Sequence, residues 1–308
     1  MDEDPLVKIL KIFLLIILGS VAAFSQTVKS PDGHLTLQFK LAEDGSPRYS
    51  LNFGDKLVIR ESRLGIELDG QPDLADHFHI VNSEITETDQ TWKPVWGEVS
   101  EIRDRHRQLT VTLEQKLNDK TPARRLVLRF RIFNDGIGFR YEFPVQDGLK
   151  YFIVKGEGTE INLTGDHKAF WIPGDYDTNE YAYSTTKLSE IDALASSKRQ
   201  TEIGTRSPIA DNVVQTPLMM KTAEGLYINI HEAALVDYPA MYLAIDRQNL
   251  GAKVKLAPNA VGSAAFLQTP AKTPWRTPSL LATKRPTSLH LRSFLISTNP
   301  QRSPILRG

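Results

Sequence analysis

The chain carries the run Arg129-Phe-Arg-Ile-Phe-Asn-Asp-Gly-Ile-Gly-Phe-Arg-Tyr-Glu-Phe143, and this run decides its fold class. Apolar and polar residues alternate on both sides of Asn134-Asp-Gly-Ile-Gly138. Alternation predicts half-buried strands, and Asn-Asp-Gly between two such strands predicts a hairpin turn. The Gly-rich part lacks the helix and the spacing of a phosphate-binding loop. We therefore expect a β-hairpin with Phe139, Tyr141 and Phe143 on the core side of its second strand.

The same pattern continues in both directions along the chain. Short alternating or apolar runs, separated by turn residues, lie at His34–Leu41, Tyr49–Phe53, Leu57–Ile59, Leu64–Leu68, Phe78–Val81, Leu109–Leu113, Thr216–Lys221, Leu226–Ile230, Met241–Ile245, Lys253–Leu256 and Ala264–Leu267. Many short strands with turns between them predict a large antiparallel β-sandwich, an all-β fold. One short helix is expected at Lys187–Ser197, because apolar residues recur there at helical spacing.

The composition excludes several classes of protein. A length of 308 residues allows one large domain or two small ones, and a hydrophobic content of 41% suffices for a core. Because 37 basic residues balance 37 acidic ones, nothing indicates nucleic acid or an anionic membrane surface as a partner. The absence of cysteine excludes disulfides and thiolate metal sites.

The first 25 residues have the features of a secretory signal peptide. Lys8 and Lys11 flank the start of the apolar run Ile12–Phe24, and Ala23-Phe-Ser25 has small residues at the positions that signal peptidase reads. A membrane-spanning helix needs about 20 apolar residues, and this run is shorter. We expect Met1–Ser25 to be removed on export, with an uncleaved membrane anchor as the alternative.

The most polar functional candidate is the run Trp171-Ile-Pro-Gly-Asp-Tyr-Asp-Thr-Asn-Glu180-Tyr181. Its Pro-Gly pair ends the strand-like Lys168–Ile172, so the polar residues are expected on a loop, where binding sites tend to lie. Its acidic and amide residues are Asp175, Asp177, Asn179 and Glu180. Such a loop suits calcium, which takes six to eight oxygen ligands, and its aromatic residues suit a sugar. A solvated turn built on Asx residues fits the spacing equally well.

Three other segments carry residues that suit a binding site. Thr91-Trp-Lys-Pro-Val-Trp-Gly-Glu98 holds two tryptophans that can form a sugar platform or serve as plugs between two sheets. His231-Glu232 follows a predicted strand, as a candidate pair or as two separately satisfied polar residues, and it lacks the spacing of a zinc motif. Lys198–Gln215 is polar and irregular, which is typical of a lid or of a contact between domains.

These motifs together resemble the amino-terminal domain of glycoside hydrolase family 97. The resemblance rests on Thr91–Glu98, Arg129–Phe143, Trp171–Tyr181, Thr216-Pro-Leu-Met-Met-Lys-Thr222 and Tyr227-Ile-Asn-Ile-His-Glu-Ala-Ala-Leu235, and it runs in order from Ser30 to Thr277. The family comprises calcium-dependent α-glucosidases and α-galactosidases, mainly of Bacteroidota. Its first domain is a super-sandwich like that of sugar mutarotases, and a (β/α)8 catalytic barrel and a small β domain follow it.

The resemblance implies roles for particular residues. Glu180 matches the family's calcium-binding Glu in the Asp-Thr-x-Glu-Tyr motif, so we expect it to bind a calcium ion shared with the barrel. Glycoside hydrolysis needs two carboxylates, which in this family come from the barrel, so no catalytic residue is expected in this chain. The substrate, an oligo- or polysaccharide α-glycoside, is expected to contact Trp171, Asp175, His231 and Glu232.

The resemblance predicts the substrate-pocket and calcium-contributing domain of an exported, periplasmic α-glycosidase, present as a fragment that is inactive alone. One alternative is a stand-alone carbohydrate-binding module. Another is a mutarotase-like enzyme that uses His231 and Glu232 as acid and base. No membrane contact is expected after signal cleavage.

The last 31 residues differ in composition from the rest. Pro278–Gly308 contains five Lys or Arg residues, no Asp or Glu, and four prolines that interrupt regular elements. This change predicts a domain at residues 26–277 followed by a poorly packed, frameshifted tail at 278–308. A natural basic tail is the alternative.

Overall fold

A computed structural model of the chain describes residues 25–95, 99–118 and 120–281. The predicted signal peptide, except Ser25, lies outside these ranges, as do Trp96, Glu98 and residues 282–308 of the predicted tail. Within the described ranges, no helix has the length and apolar composition needed to cross a bilayer.

Strands make up most of the described chain. The first are β1 (Ser25–Lys29), β2 (Leu35–Leu41), β3 (Pro47–Phe53), β4 (Lys56–Arg63), β5 (Ile66–Leu68), β6 (Phe78–Trp92) and β7 (Ile102–Gln115). Next are β8 (Arg124–Phe133), β9 (Gly136–Phe143), β10 (Tyr151–Glu157), β11 (Glu160–Leu163), β12 (Lys168–Trp171) and β13 (Ser184–Lys187). A 3-10 turn (Leu188–Glu190) and helix α1 (Ala193–Arg199) follow. The last are β14 (Val213–Gln215), β15 (Leu218–Lys221), β16 (Tyr227–Ala233), β17 (Met241–Asp246), β18 (Gly251–Leu256), β19 (Ala265–Gln268), β20 (Ala271–Lys272) and β21 (Trp275–Leu281).

These strands form two large antiparallel sheets and one small sheet in the described ranges. The eight-stranded sheet has the order β1-β2-β3-β4-β11-β18-β17-β14. The ten-stranded sheet has the order β13-β12-β15-β16-β21-β9-β8-β7-β6, with β20 also paired to β9. The small sheet has the order β19-β10-β5. Strands β13 and β6 are therefore the two edges of the ten-stranded sheet.

The two large sheets pack face to face around one apolar core. The Phe39 ring on β2 lies 5.8 Å from the Phe130 ring on β8, and the Tyr49 ring on β3 lies 5.2 Å from the Phe139 ring on β9. All four side chains are at most 1% exposed. Burial of such a side chain stabilises the fold by about 1.5–3 kcal/mol. The prediction of an all-β antiparallel sandwich is confirmed.

The hairpin predicted around Asn134 is formed by β8 and β9. Phe133 pairs with Gly136, and the pairing continues to Val127 and Glu142. Phe139, Tyr141 and Phe143 are buried, as predicted from their shared face. Trp92 is also buried, in a small cluster with Ile102 and Phe133, so its ring is not an open sugar platform. All three residues lie on strands of the ten-stranded sheet, and the interpretation of Trp92 as a plug between two sheets stays a prediction.

The helix predicted at Lys187–Ser197 is split in the structure. A 3-10 turn ends at Glu190, Ile191 is extended, and α1 begins after Asp192, whose carboxylate accepts a hydrogen bond from the Ala195 amide at 2.9 Å. Because aspartate caps a helix start better than it continues a helix, the apolar spacing across it does not produce a continuous helix.

The predicted boundary between Thr277 and Pro278 lies inside β21. Pro278 pairs with Ile230 and Ser279 with Asn229, so the first residues of the predicted tail belong to the sheet. Pro278 is accommodated because the ladder between β21 and β9 is interrupted there, with pairs recorded only at Arg276 and Ser279. The expectation of poor packing is therefore wrong for residues 278–280.

The contact between β21 and β9 gives a direct test of this placement. A Cβ atom on Gly136 would lie 2.7 Å from the Ser279 Cα and 2.8 Å from the Pro278 carbonyl oxygen. We expect Gly136→Ala to lower the free energy of unfolding by about 1–3 kcal/mol, because backbone must move to admit the methyl group. Urea denaturation measures this.

Gly204→Ala is the matched control, since nothing lies within 4 Å of its Cβ position and its φ is not positive. We expect it to be neutral or to stabilise by less than about 1 kcal/mol. Equal effects of the two substitutions would mean that residues 278 and 279 do not occupy β21.

Candidate functional site

The acidic loop, residues Asp175–Tyr183, lies between β12 and β13 at one edge of the ten-stranded sheet. It begins two residues after Pro173, which forms an isolated bridge with Val214 of the eight-stranded sheet. The loop therefore lies at the end of β12, as the sequence predicts.

Asp175 holds the loop together from the inside. Its side chain is 2% exposed, and its Oδ1 accepts hydrogen bonds from the amides of Asp177 at 2.8 Å and Thr178 at 3.3 Å. Its Oδ2 accepts hydrogen bonds from the Tyr181 hydroxyl at 2.7 Å and the Ser207 amide at 2.6 Å. Both oxygens are engaged within the chain, so the predicted substrate contact of Asp175 is not available in this geometry. The Asx-turn interpretation applies to this residue.

Neighbouring segments fasten the same loop. The Tyr242 hydroxyl on β17 donates to the Asp175 carbonyl oxygen at 2.9 Å, and the Tyr176 ring lies edge-on to the Tyr242 ring at 5.5 Å. Burial raises the pKa of Tyr181, which keeps its phenol protonated, and this hydroxyl also lies 3.0 Å from the Ser197 hydroxyl of α1. The loop is thus held by β17 and by α1, in addition to the hydrogen bonds of Asp175.

The segment predicted as a lid, Lys198–Gln215, packs against the acidic loop. It contains the end of α1 and all of β14, and the stretch between them is irregular. The Ser207 amide of this segment donates to Asp175 of the loop. Arg206 fixes the segment itself, because it donates to the carbonyl oxygens of Ser197 at 2.9 Å and Gln200 at 3.1 Å. Its role as a lid or a domain contact stays a prediction.

The outer side of the acidic loop is open. Tyr176 is 44% exposed, and Asp177, Asn179 and Glu180 are exposed as well. The Glu180 amide donates to the Thr178 hydroxyl at 3.2 Å, whereas its carboxylate has no hydrogen bond or ion pair recorded among the described residues. Glu180 therefore presents free charged oxygens on a fixed backbone.

Calcium requires more ligands than this loop assembles. It takes six to eight oxygens at about 2.3–2.6 Å, and within the described ranges no three His, Asp or Glu side chains are grouped so that they can hold a metal ion. Glu180 can supply one ligand, but the described residues do not form a complete calcium site.

Trp171 is not a sugar platform in this structure. Its side chain is 1% exposed, and its Nε1 donates to the Thr186 hydroxyl of β13 at 3.0 Å. A sugar needs an open ring face, so the predicted substrate contact of Trp171 is not available. The exposed aromatic rings on the loop are Tyr176, which belongs to the aromatic residues of the predicted run, and Tyr183, which sequence reasoning did not single out.

His231 and Glu232 are adjacent in β16 and therefore face opposite sides of the sheet. The His231 ring is half-buried, and burial lowers its pKa. Glu232 is 7% exposed and accepts a hydrogen bond from the Met241 amide at 2.9 Å. The two groups do not face one ligand, which argues against the acid–base pair of the mutarotase alternative and against a shared substrate contact.

Glu232 belongs to a buried ion-pair cluster that sequence reasoning missed. Arg276 on β21 donates to Glu232 at 2.7 Å and, through Nε at 3.1 Å and Nη2, to Glu157 on β10. Burial lowers the pKa of Arg276, but the two carboxylates outweigh that and hold it above its usual value. Burial raises the pKa of Glu232 more than Arg276 lowers it. A lone arginine between Trp275 and Thr277 was the available sequence signal.

Comparison with known proteins identifies the family. The model of the glycosyl-hydrolase 97 N-terminal domain matches residues 28–291. The match continues past Thr277, where the sequence-based prediction placed its end.

Several relatives are whole glycosidases. A curated retaining alpha-galactosidase of Bacteroides thetaiotaomicron is 23% identical over 252 residues, which are 77% of this chain and 33% of that protein. Structures of a glycoside hydrolase family 97 enzyme from Pseudoalteromonas sp. strain K8, with panose and with acarbose, are 33% identical with a TM-score of 0.71. They match 83% of this chain and 35% of theirs. A beta-arabinopyranosidase shares the fold at 20% identity and a TM-score of 0.66, over 83% of this chain and 40% of that one.

The buried cluster gives a stability prediction. Arg276→Met leaves Glu157 and Glu232 buried without their cation, so we expect the free energy of unfolding to fall by about 3–5 kcal/mol. Guanidinium denaturation followed by tryptophan fluorescence measures the change.

Arg103→Met is the matched control, because Arg103 is 62% exposed in an ion pair with Asp89 at 2.7 Å. Solvent screens an exposed pair, so a much smaller loss than for Arg276→Met is expected. If Arg276→Met cost no more than this control, the cluster would not hold the sheets together.

Proposed function

Because the chain belongs to glycoside hydrolase family 97 through the family's amino-terminal domain, we propose that it completes the substrate pocket of an α-glycosidase. The chain spans about a third of the length of the relatives described above, so the rest of such an enzyme is expected to supply the reaction itself. The proposed substrates are α-glucosides or α-galactosides. The panose and acarbose complexes of one relative and the activity of another support this class.

The exposed carboxylate of Glu180 is the observation that carries this proposal. Its loop is fixed from the inside by Asp175 and Tyr181, so the position of Glu180 is set before any ligand arrives. A pre-ordered charged group costs less entropy on binding than a mobile one. This arrangement suits a residue that must meet a ligand held mainly by another part of the enzyme.

We propose that Glu180 contributes one ligand to a calcium ion whose other ligands come from outside the described residues. A bound divalent cation stabilises negative charge on a substrate or on a reacting group. Asp177 and Asn179, exposed beside Glu180, add further oxygens near the site. Without the rest of the enzyme, this domain should bind calcium weakly, in about the millimolar range of open sites.

Three buried carboxylates, those of Glu157, Glu232 and Asp175, are not arranged as a catalytic pair. Glycoside hydrolysis needs two carboxyl groups about 5–9.5 Å apart, facing one sugar. Glu157 and Glu232 are buried with Arg276, and Asp175 accepts hydrogen bonds on both oxygens. We therefore assign the acid–base chemistry to another domain.

The apolar run at Ile12–Phe24 supports export of the protein, and the periplasm is the proposed location.

A carbohydrate-binding module remains the second candidate, and one feature favours it. Tyr151 on β10 is 72% exposed and Phe266 on β19 is 62% exposed. Because Ile153 pairs with Phe266 and Tyr151 with Gln268, both rings lie on one face of the small sheet. Exposed rings on a flat strand pair can stack on sugar C–H faces. Loss of maltooligosaccharide binding in Tyr151→Ala and Phe266→Ala, with Glu180→Gln unaffected, would favour this candidate.

Our first functional prediction concerns catalysis. We expect the 308-residue chain with calcium to release no nitrophenol above background from nitrophenyl α-glucoside or α-galactoside, because we assign the pair of catalytic carboxylates to another domain. The retaining alpha-galactosidase of Bacteroides thetaiotaomicron, assayed in parallel, is the positive control for the galactoside. Calcium-dependent turnover by the chain alone would overturn the assignment.

The second functional prediction concerns Glu180 in a complete enzyme. Residues 26–281 can replace the matching domain of the Pseudoalteromonas relative. We expect Glu180→Gln in that hybrid to weaken calcium binding by about tenfold or more and to lower activity in parallel, because one charged ligand becomes neutral. Calcium titration of the activity and calorimetry measure both effects.

Glu84→Gln is the matched control, since Glu84 is exposed on β6, at the opposite edge of the same sheet. It should leave both quantities unchanged. If Glu180→Gln behaves like Glu84→Gln, Glu180 is an ordinary surface residue.

A further inference from the structure

Three lysines form a row across the edge of the ten-stranded sheet. Lys187 on β13 and Lys221 on β15 both pair directly with Lys168 on β12. Residues that oppose each other across strands face the same side, with Cβ atoms about 4.5–5.5 Å apart. We call Lys187, Lys168 and Lys221 the lysine row. All three are exposed.

The lysine row is electrostatically unfavourable as it stands. Like charges directly opposite each other destabilise a sheet. In the part of the chain that the structure describes, none of the three ammonium groups has a carboxylate within 4.0 Å. Lys221 lies 5.4 Å from the centre of the Tyr227 ring, which is a weak contact for a cation. The row therefore carries positive charge that the described residues leave uncompensated at close range.

The acidic groups nearby are engaged elsewhere. The Asp166 carboxylate accepts hydrogen bonds from the Ser189 amide at 2.9 Å and from the Ser189 hydroxyl at 2.8 Å. Hydrogen bonds from its own amide and from the Thr222 hydroxyl lower the pKa of Glu224. Both carboxylates line the same cavity as the lysines, and both are held by hydrogen bonds within their turns. Asp166 also interacts electrostatically with Lys187, at a separation beyond 4.0 Å, so the compensation of the row is partial.

A cavity of about 490 Å³ lies over the row. Besides the three lysines, Gly165, His167 and Thr222 line it. His167 is 8% exposed, and its Nε2 is buried without a hydrogen-bond partner among the described residues. A buried polar atom without a partner is uncommon and indicates a missing ligand or water. Burial lowers the pKa of His167 more than Glu224 and Asp166 raise it, so a neutral ring donates one hydrogen bond in its Nε2–H tautomer.

We propose that the lysine row and His167 form a binding pocket for a tetrahedral dianion, a sulfate or phosphate group, free or carried on a sugar. Each ammonium group offers three donors, and ammonium groups bind phosphate as point charges. A dianion placed over Lys168 would turn the repulsion along the row into attraction. A volume of about 490 Å³ lies in the range of small-ligand pockets, which leaves room for a sugar beside the dianion.

This pocket is separate from the acidic loop. Lys168 is the first residue of β12, and the acidic loop follows the other end of the strand, beyond Trp171. A four-residue strand spans about 10 Å or more between its ends. A test that shows no anion binding at the lysine row therefore leaves the proposed role of Glu180 in the acidic loop unaffected, and the reverse also holds.

The test measures binding of inorganic sulfate and phosphate to the 308-residue chain by calorimetry and by thermal unfolding. We expect saturable binding to wild type and a loss of affinity of about tenfold or more in Lys168→Gln. The same substitution should leave the melting temperature without anion unchanged or raise it, because it removes repulsion. Sulfate also stabilises proteins generally, and subtracting the variant's curve removes that effect.

Lys155→Gln is the control, since Lys155 is exposed on β10 and has no ion pair among the described residues. It should keep wild-type affinity. His167→Gln, which retains a side-chain donor, should bind more tightly than His167→Ala. Equal anion-dependent shifts in wild type and Lys168→Gln would overturn the proposal.

Sugar ligands then distinguish the two sources of the dianion. Tighter binding of glucose 6-phosphate or glucose 6-sulfate than of the inorganic ions would indicate a charged sugar as the ligand. Tighter binding of the inorganic ions would indicate a free ion, and either result supports the pocket. Glucose binding as tightly as glucose 6-phosphate would contradict it, because charge would then play no part.

Discussion

A guanidinium group with no access to water must be neutralised where it lies, and the Arg276 cluster is built around this requirement. Arg276 is 0% exposed and bonded to Glu157 and Glu232. Glu232 is its direct partner on the neighbouring strand, and Glu157 comes from the small sheet. The cluster therefore ties β10 to the middle of the ten-stranded sheet. On one side of that middle lie β15, β12 and β13, which carry both proposed sites, and on the other lie β9, β8, β7 and β6.

The two proposed sites use the same edge of the sheet in different ways. At one end of β12, the Asp175 carboxylate accepts hydrogen bonds within the chain, and these bonds fix the loop on which Glu180 is exposed. At the other end, the internal hydrogen bonds hold Asp166 and Glu224 and leave lysines unpaired. In both places the carboxylates named here are held by hydrogen bonds within the chain, and the charge that remains faces solvent. This division is what makes an exposed charged residue at the edge available to a ligand.

The sequence predicted what depends on local alternation and turn chemistry. The hairpin at Asn134 and the sandwich class follow from period-two patterns that the core enforces. The helix was misjudged because Asp192 is a cap rather than an interior residue. Trp171, Asp175 and Glu232 were suited by residue type to bind a sugar. Asp175 instead forms the Asx turn that the sequence also allowed, with partners mostly within six residues. Glu232 is buried against Arg276, which is distant in sequence, and a single sequence does not reveal such a partner. The same holds for Arg276, because its partner Glu157 on β10 lies far from it along the chain.

The place of β21 has a consequence for how the chain folds during synthesis. It is the last described strand in sequence, yet it lies between β16 and β9 inside the ten-stranded sheet. Before it emerges from the ribosome, those two strands each present an unpaired edge, and contacts this distant in sequence form slowly. The two halves of the sheet must wait for the end of the domain. A nascent chain that stalls before Trp275 would leave the edges of β16 and β9 without this central strand, so the ten-stranded sheet can be completed only after β21 has been synthesised.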